Sequence, residues 1–386
     1  MIDWMKPATV LVTCPPGIPP HLAREVEGLG LPVTRQMDLG VSSEGTLTDC
    51  MRLCLHVRTG HRVLYELAQF KATDGEWLYR NTRKVAWEDI LPLDGYFSVS
   101  SSLNTSAVDN SMFASLKVKD GVVDRIRNEL GSRPDCGKES KGAAVFLHWE
   151  RDRATLYLDC AGEPLARRGY RVSPHTAPMQ ETLSAAVVMA SGYASGTFVN
   201  PMCGSGTLAI EAALIALDRA PGTLRKNFAF QHLKGYDPQV WQELLEEETL
   251  AHRDHPGGRI IATDIDPKAI EAAIRNAELA GVAEFIEFGV CDFRETEIPE
   301  EPGVVLLNPE YGKRLGNLNE LEDIYSGIGD FFKQSCKGYT GGVFTGNLDL
   351  AKRVGLRTKK RIPFFNAQIE CRLLTYELYA GTRKGA

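Results

Sequence analysis

The sequence predicts an α/β protein. Its C-terminal half reads as an open, mostly parallel sheet with helices on both faces, preceded by a smaller α+β region. Three observations carry this. In residues 198–213 an apolar run, Phe198-Val199-Asn200-Pro201, enters a turn of small residues, Cys203-Gly204-Ser205-Gly206-Thr207, and then apolar positions recur at helical spacing. This is strand, glycine loop, helix. Residues 260–263 form a second apolar run that ends in Asp264. Residues 304–307 form a third, Val-Val-Leu-Leu, that ends in Asn308-Pro309-Glu310-Tyr311.

The glycine loop narrows the ligand. Gly204 and Gly206 let the backbone take positive φ and approach a bound group closely. The N–H groups at the helix start can hold a carboxylate or phosphate. A dinucleotide fingerprint needs a third glycine where Ala209 stands, and its acid about 20 residues on, whereas Asp264 comes far later. A phosphate loop needs Gly-Lys-Ser/Thr, and Gly206 is followed by Thr207-Leu208. An ordinary βα turn is the plain alternative. The remaining features fit a different cofactor. An acid at the end of the second strand can accept from ribose hydroxyls. A glycine loop, that acid, and an Asn-Pro-x-Tyr turn after the fourth strand together describe an S-adenosylmethionine (SAM) site facing an amine.

These residues carry a resemblance. The chain resembles the THUMP-domain family of RNA guanine-N2 methyltransferases, and within it the bacterial RlmL-type enzymes of large-subunit ribosomal RNA. The resemblance rests on Arg167-Arg168-Gly169-Tyr170-Arg171, residues 177–183, Pro201 to Thr207, Asp264-Ile265-Asp266, Asn308-Pro309 with Tyr311-Gly312, and Asn366 to Cys371. It implies a class I (Rossmann-like) SAM methyltransferase domain over 177–386. Before it stand a ferredoxin-like segment over 1–62, a THUMP RNA-binding domain over 63–162 and a linker over 163–176.

Composition agrees with several globular domains: 386 residues, 43% hydrophobic and 24% charged, leave room for two or three. No apolar run approaches the roughly 18 residues a membrane span needs, and the first residues lack a signal-peptide pattern. Nine scattered cysteines without a C-x-x-C pair argue against a zinc site or disulfide framework and fit a reducing cytoplasm. The net charge of −6 argues against a nonspecific nucleic-acid binder but leaves room for a local basic face.

Along the chain, residues 8–13 read as a strand, 21–29 and 50–58 as helices, and 96–100 as an alternating, half-buried strand. Residues 111–130 read as a helix carrying Lys117, Lys119, Arg125 and Arg127. Residues 143–149 and 154–159 form a strand pair. RNA phosphates are the expected partners of Lys117, Lys119, Arg125, Arg133, Lys138 and Lys141. Asp120, Asp124 and Glu129 are interleaved, so a solvated helix face is the alternative. Arg167, Arg168 and Arg171 form a basic linker that grips RNA backbone or tethers the two halves. Lys359 and Lys360, in the basic stretch 352–361, are a further RNA candidate. Phosphate contacts of this kind position an RNA without choosing its bases.

In the C-terminal half, 221–258 is an insertion with Trp241 and an acidic run, expected to be structural. Asp266-Pro267 opens a helix, 285–290 is the third strand, and a terminal hairpin includes 369–378. Strand carboxyl ends are where an open α/β sheet binds ligands, and Asn200, Asp264, Asp292 and Asn308 fall there. The expected cofactor set is Thr182, Asn200, Pro201, Cys203, Gly204, Ser205, Gly206, Asp264, Asp292 and Asn308, with Gln180 beside it. Asp292 would accept from the adenine amine, or else sit in a surface turn. Asn308, Pro309 and Tyr311 are the expected catalytic residues: two acceptors for the amine hydrogens and a ring to stack on the base. No metal is expected.

Two positions depart from the family pattern. Asn200 stands where an aspartate is usual, keeping an acceptor and losing the charge. Glu310 stands where the second proline of Asn-Pro-Pro-Tyr is usual, losing a stiffening ring and adding an anion. The expected substrate is a guanine in structured RNA, ribosomal RNA before tRNA. DNA adenine or protein glutamine methylation, a non-catalytic RNA-binding factor and, last, a dehydrogenase are the alternatives.

Overall fold

The structure, a computed structural model, describes residues 4–171, 179–311 and 318–379. It divides into two units. One comprises residues 4–14, 22–165 and 225–247; the other comprises 15–21, 166–224 and 248–379.

The first unit is built on an eight-stranded sheet: β1 (Ala8–Thr13), β2 (Val33–Met37), β3 (Gly40–Gly45), β4 (Arg62–Lys71), β5 (Tyr96–Asn104), β6 (Asp135–Gly137), β7 (Ala143–Glu150) and β8 (Arg153–Asp159), in the order β2-β3-β1-β4-β8-β7-β5-β6. β1 lies between β3 and β4, antiparallel to both, with Val10 and Val12 fully buried. Helix α1 (Pro19–Gly28) follows β1. Helix α2 (Leu47–His56) starts at a capping box in which Thr46 and Asp49 satisfy each other's backbone N–H groups. Helices α3 (Gly75–Thr82) and α4 (Ser111–Leu130) are opened by Asp74 and Asn110, whose side chains accept from the first free N–H groups.

The segment 225–247 belongs to this first unit, although in sequence it interrupts the second. Arg225 donates to the carbonyls of Ala161, Glu163 and Pro164. Phe228 and Phe230 stack at 5.1 Å, and Trp241 meets their rings edge-on at 5.5 and 5.0 Å. Of the insertion expected over 221–258, residues 225–247 belong to the first unit and the rest to the second, and the acidic run lies on helix α7 (Pro238–Ala251).

The second unit is a seven-stranded sheet: β9 (Phe198–Pro201), β10 (Ile260–Asp264), β11 (Ile286–Val290), β12 (Val304–Leu307), β13 (Thr340–Thr345), β14 (Lys360–Asn366) and β15 (Ile369–Glu377). The order is β11-β10-β9-β12-β13-β15-β14. The first five are parallel, and β15 and β14 close the edge as an antiparallel hairpin. That hairpin separates this sheet from an all-parallel dinucleotide-binding sheet. Helices α5 (Glu181–Ala190), α6 (Thr207–Ala216), α8 (Pro267–Leu279), α9 (Leu318–Gln334) and α10 (Leu348–Ala351) accompany it. β9, β12 and the central strands are buried and nearly continuously apolar, as parallel strands covered on both faces must be. One core joins Val199, Val305, Leu307, Val343 and Tyr376 of the sheet to Tyr325, Ile328 and Phe332 of α9. No helix among the described residues is long and apolar enough to cross a membrane.

Candidate active site

The strand order reverses between β9 and β12, which lie side by side with Phe198 opposite Val304 and Val199 opposite Val305. An open α/β sheet binds its ligands in the crevice at the carboxyl ends there. Asn200 lies near the end of β9, Asp264 ends β10, Asp292 follows β11 and Asn308 follows β12.

The loop after β9 is held by backbone bonds. Cys203 N–H donates to the Thr263 carbonyl and Gly206 N–H to the Cys203 carbonyl, both at 2.9 Å. Asn276 Nδ2 on α8 donates to the Ser205 carbonyl at 3.1 Å. The conformation is unusual: Met202, Gly204 and Gly206 have φ of 59°, 57° and 81°. A non-glycine residue at positive φ is strained, and the tertiary bonds around Met202 hold it. Gly206 caps α6, and a Cβ there would stand 2.8 Å from the Ala273 Cβ. A Cβ on Gly204 would meet nothing within 4 Å, so the loop is open on that side. Burial, with the charge of Asp264 second, pushes the Cys203 thiol well above its ordinary range. It is a neutral wall of the loop and not a nucleophile.

Asp264 fastens this loop. Its Oδ2 accepts from Gly204 N–H at 2.9 Å and its Oδ1 from Asp266 N–H at 3.0 Å. A carboxylate has about four acceptor sites, so capacity remains for ribose hydroxyls. Asn200 is fully buried, and its Nδ2 donates to the Leu306 carbonyl at 2.8 Å, tying β9 to β12. Its Oδ1 is buried with no hydrogen-bond partner, and so is Asn308 Oδ1. Unmatched buried acceptors are costly, about 1–3 kcal/mol each, and call for an explanation. Here two stand at the carboxyl ends of adjacent strands where the order reverses. They are open to donors that the protein does not supply. An open glycine loop, a ribose-type acid and a buried free acceptor at Asn200 fit SAM, whose amino group is a donor.

Thr182 is buried in the first turn of α5, Pro201 at the end of β9 and Ser205 in the loop after it, and Gln180 is exposed ahead of Thr182. Asp292 lies at the sheet edge as expected, but its carboxylate is engaged by the Arg294 guanidinium at 2.9 and 3.1 Å and by Arg294 N–H. Any adenine contact would share it with that arginine. Two residues escaped the sequence reading. Ile265 is 70% exposed between Asp264 and Asp266, and Val290 is 54% exposed opposite Asp264 in the β10–β11 register. Apolar side chains beside the ribose-type acid suit the face of a flat ring. The signal was an apolar residue directly after the strand-ending acid. Ala177, Pro178 and Gly312, which carry part of the family resemblance, lie outside the described residues.

The turn after β12 is pinned from two sides. Tyr325 Oη on α9 lies 2.7 Å from Thr345 Oγ1 and donates to the Glu310 carbonyl at 3.4 Å. Tyr311 Oη accepts from Asn366 Nδ2 at 3.0 Å, and the Cys371 thiol approaches it at 3.7 Å. The half-buried Tyr311 ring packs edge-on against Phe344 at 6.4 Å. Burial raises the Tyr311 hydroxyl well above its usual range, so it stays neutral. Pro309 is buried and Glu310 exposed.

The expected RNA contacts fall into different surroundings. Arg168 is a correction. It is 1% exposed and its guanidinium lies 3.1 Å from Glu211 of α6, itself 0% exposed, so it faces the interior and not a phosphate. Tyr170 Oη donates to the same carboxylate at 2.9 Å, and Arg171 pairs with Glu181 at the start of α5. The basic linker thus grips the second unit's own helices, with Arg167 exposed between them. Arg125 makes a two-armed contact with Glu88 at 2.5 and 3.1 Å. Lys119 pairs with Asp120, Lys141 with Glu139 and Lys359 with Glu377. Lys117 stands 5.5 Å over the Phe113 ring, and Arg133 lies against Cys136. Lys117, Lys119, Arg127 and Arg133 also line a cavity of about 350 Å³ with Glu76, Asp120 and Asp124. Lys138 and Lys360 are exposed. Among the described residues no group of three or more His, Cys, Asp or Glu side chains could hold a metal ion.

Fold and site together define the class: a class I SAM methyltransferase domain that follows an α+β unit. Comparison with known proteins identifies the family. Residues 168–375 match the RMKL-like methyltransferase domain, 9–64 the RlmL ferredoxin-like domain and 72–159 the THUMP domain. The chain belongs to the RMKL-like methyltransferase family. It is 39% identical over 385 residues to the ribosomal RNA large subunit methyltransferase K/L of Syntrophotalea carbinolica, covering 96% of this chain and 54% of that protein. It is 38% identical over 380 residues to the protein of the same name from Pseudomonas aeruginosa, covering 96% and 52%. The chain therefore spans about half the length of the curated relatives it matches. Among solved structures, SMU.472 in complex with SAH is 25% identical with a TM-score of 0.86, covering 98% of this chain and 100% of that one. A predicted N6-adenine-specific DNA methylase from Listeria monocytogenes is 28% identical with a TM-score of 0.85, covering 98% and 97%. TrmN from Thermus thermophilus shares the fold at 18% identity and a TM-score of 0.67, covering 96% and 99%.

Proposed function

We propose that this chain transfers a methyl group from SAM to the exocyclic N2 amine of a guanine in structured RNA, with ribosomal RNA as the preferred substrate. The observation that carries the reading is the buried, partnerless Oδ1 of Asn308. It stands where the strand order reverses, next to the Pro309 carbonyl.

When bound, SAM supplies an electrophilic methyl on a sulfonium. The protein's task is the nucleophile. The N2 lone pair is delocalised into the guanine ring, so the planar amine attacks poorly. Asn308 Oδ1 and the Pro309 carbonyl each accept one amine hydrogen, which turns the lone pair out of the ring plane. Holding the amine in line with its electrophile contributes several kcal/mol by orientation alone. Tyr311 offers its ring to the base, and such stacking is worth about 1–3 kcal/mol per base on other nucleic-acid sites. A paired guanine leaves its stack first. No strong base is required, because the extra proton leaves after the N–C bond has formed. Asn200 Oδ1 would accept from the SAM amino group and Asp264 from the ribose, and the α6 N-terminus lies beside the loop.

The segments 1–62 and 63–162 present the RNA, and 177–386, apart from the 225–247 segment of the first unit, carry out transfer. A ribosomal substrate is favoured because the resemblance to the named ribosomal RNA relatives runs through the N-terminal half. Such an enzyme works in the cytoplasm. A tRNA guanine is the alternative. Incubation with labelled SAM and unmodified total RNA, followed by digestion to nucleosides, tests the reading. Label in N2-methylguanosine supports it. Label in another nucleoside, or none while SAM still binds, overturns it.

A further inference from the structure

Helix α8 meets the glycine loop through two fully buried residues, Ala273 and Asn276, that share one face of the helix. A Cβ on Gly206 would stand 2.8 Å from the Ala273 Cβ, so the loop backbone lies close against α8 there. Asn276 Nδ2 donates to the Ser205 carbonyl at 3.1 Å. Asn276 Oδ1 is buried and has no hydrogen-bond partner. For stability alone such an amide is a poor choice, since an unmatched buried acceptor is costly and leucine has nearly the same shape. The bond to Ser205 is what the asparagine supplies and leucine does not.

We propose that Asn276 is the positioning residue of the cofactor loop: by holding the Ser205 carbonyl it sets the direction of the first N–H groups of α6 toward the amino-acid end of SAM. The assignment rests on the SAM reading above and adds a residue that acts through the loop. The geometry of one peptide group carries it. The Ser205 carbonyl and the Gly206 N–H belong to one planar trans unit and point in opposite directions. Asn276 holds the carbonyl, and the N–H donates to the Cys203 carbonyl at 2.9 Å. The plane is thus fixed at both ends. Gly206 follows at φ of 81°, and α6 begins at Thr207 with no side-chain cap. The first N–H groups of a helix have no partner within it, and the orientation of the peptide ahead of them decides where they point.

Without the Asn276 amide, the Cys203 bond alone would hold that plane. The Ser205 carbonyl, on a residue 5% exposed, would turn to find another donor. Gly204 and Gly206 on either side offer little resistance to such a turn. The other end of the loop is fastened independently. Asp264 Oδ2 accepts from Gly204 N–H at 2.9 Å, and the Thr263 carbonyl accepts from Cys203 N–H at 2.9 Å. Asn276 therefore acts on the amino-acid end of the cofactor and leaves the ribose end in place.

The test uses two ligands that share the thioadenosine and differ in the amino acid: S-adenosylhomocysteine (SAH) and 5′-methylthioadenosine. Their affinities for the whole chain are measured by calorimetry for wild type, Asn276→Leu and Asn276→Ala, well below the lowest Tm found in melting curves without ligand. Asn276→Leu keeps the volume and Asn276→Ala removes it, so the two separate packing from the lost bond. Loss of one buried hydrogen bond predicts that SAH binding weakens by about 5- to 50-fold in both variants, while 5′-methylthioadenosine changes by less than about two-fold. The quantity read is the ratio of the two affinities, because a general loosening of the fold moves both ligands together. An equal loss for both ligands, or an SAH affinity unchanged within about two-fold, overturns the assignment and leaves the SAM reading intact. No SAH binding by the wild type overturns both.

Discussion

Replacing Arg168 by alanine removes a cation that the sequence places in a basic linker and the fold places in the interior. The guanidinium lies 3.1 Å from Glu211, and the two side chains are 1% and 0% exposed. At an effective dielectric of about 20, that separation corresponds to a Coulomb attraction of about 5 kcal/mol. Removing one partner of a buried pair typically costs about 3–5 kcal/mol, because the other charge is left buried. Tyr170 Oη still donates to Glu211 at 2.9 Å and softens the loss, which places the expectation toward the lower end. At about 2–4 °C per kcal/mol for a domain of roughly 150–250 residues, Arg168→Ala lowers Tm by about 6–20 °C. Thermal denaturation followed by near-UV circular dichroism reads this. Combining Arg168→Ala with Glu211→Gln recovers part of the loss, since no uncompensated charge then remains. An Arg168→Ala protein with unchanged Tm, weaker RNA binding and a salt dependence reduced by about one ion would refute the reasoning, because a phosphate contact behaves that way.

Asn308→Ala removes one of the two amine acceptors and is expected to lower kcat by about 10²–10³, as loss of a single preorganised hydrogen-bonding group does elsewhere, with a far smaller change in SAM affinity. Single-turnover transfer to RNA checks it, and a loss under ten-fold contradicts it. Gly206→Ala forces a side chain to φ of 81° with its Cβ 2.8 Å from the Ala273 Cβ, costing about 1–2 kcal/mol or more and weakening SAM binding; calorimetry and a melting curve read both, and a neutral substitution would mean the loop relaxes freely. The Arg125 guanidinium holds the Glu88 carboxyl below its ordinary range. A depressed carboxyl contributes stability above its unfolded pKa and loses it as pH falls through the folded one. Wild type should therefore exceed Arg125→Ala by up to about 1 kcal/mol in urea denaturation at pH 7, with the gap closing as pH falls below the ordinary carboxylate range. A gap that persists in acid would point to packing instead.

The parts of the site that depend on local pattern were legible in the chain. A strand leading into Gly204 and Gly206, an acid ending a second apolar run, and Asn308 ending a third are each set within a few residues, and β9, β10 and β12 carry them where the pattern puts them. Helix α4 matches its expected span because Asn110 and Gly131 punctuate it. What the chain did not disclose depends on distant partners. The three arginines of the basic linker look alike until Glu211 and Glu181 arrive from two helices. Nothing near Asn200 shows that its amide nitrogen is taken by Leu306, 106 positions on, leaving only the oxygen open. Residues 225–247 join the first unit through Arg225 and an aromatic cluster, with no boundary signal in composition. The interleaved acids Asp120 and Glu129 on α4 did foreshadow pairs with Lys119 and Arg125, whereas Glu88, which holds Arg125 with two arms, lies outside that helix.

The central claim is that the Asn308-Pro309 turn presents a guanine amine to SAM. The most direct measurement is transfer of labelled methyl to unmodified ribosomal RNA and to unmodified tRNA in parallel, with both products digested to nucleosides. The account predicts label in N2-methylguanosine from the ribosomal pool and little from tRNA. Label confined to tRNA would contradict the choice of substrate. Label in N6-methyladenosine, or no label in either pool while calorimetry shows SAM bound, would contradict the claim itself.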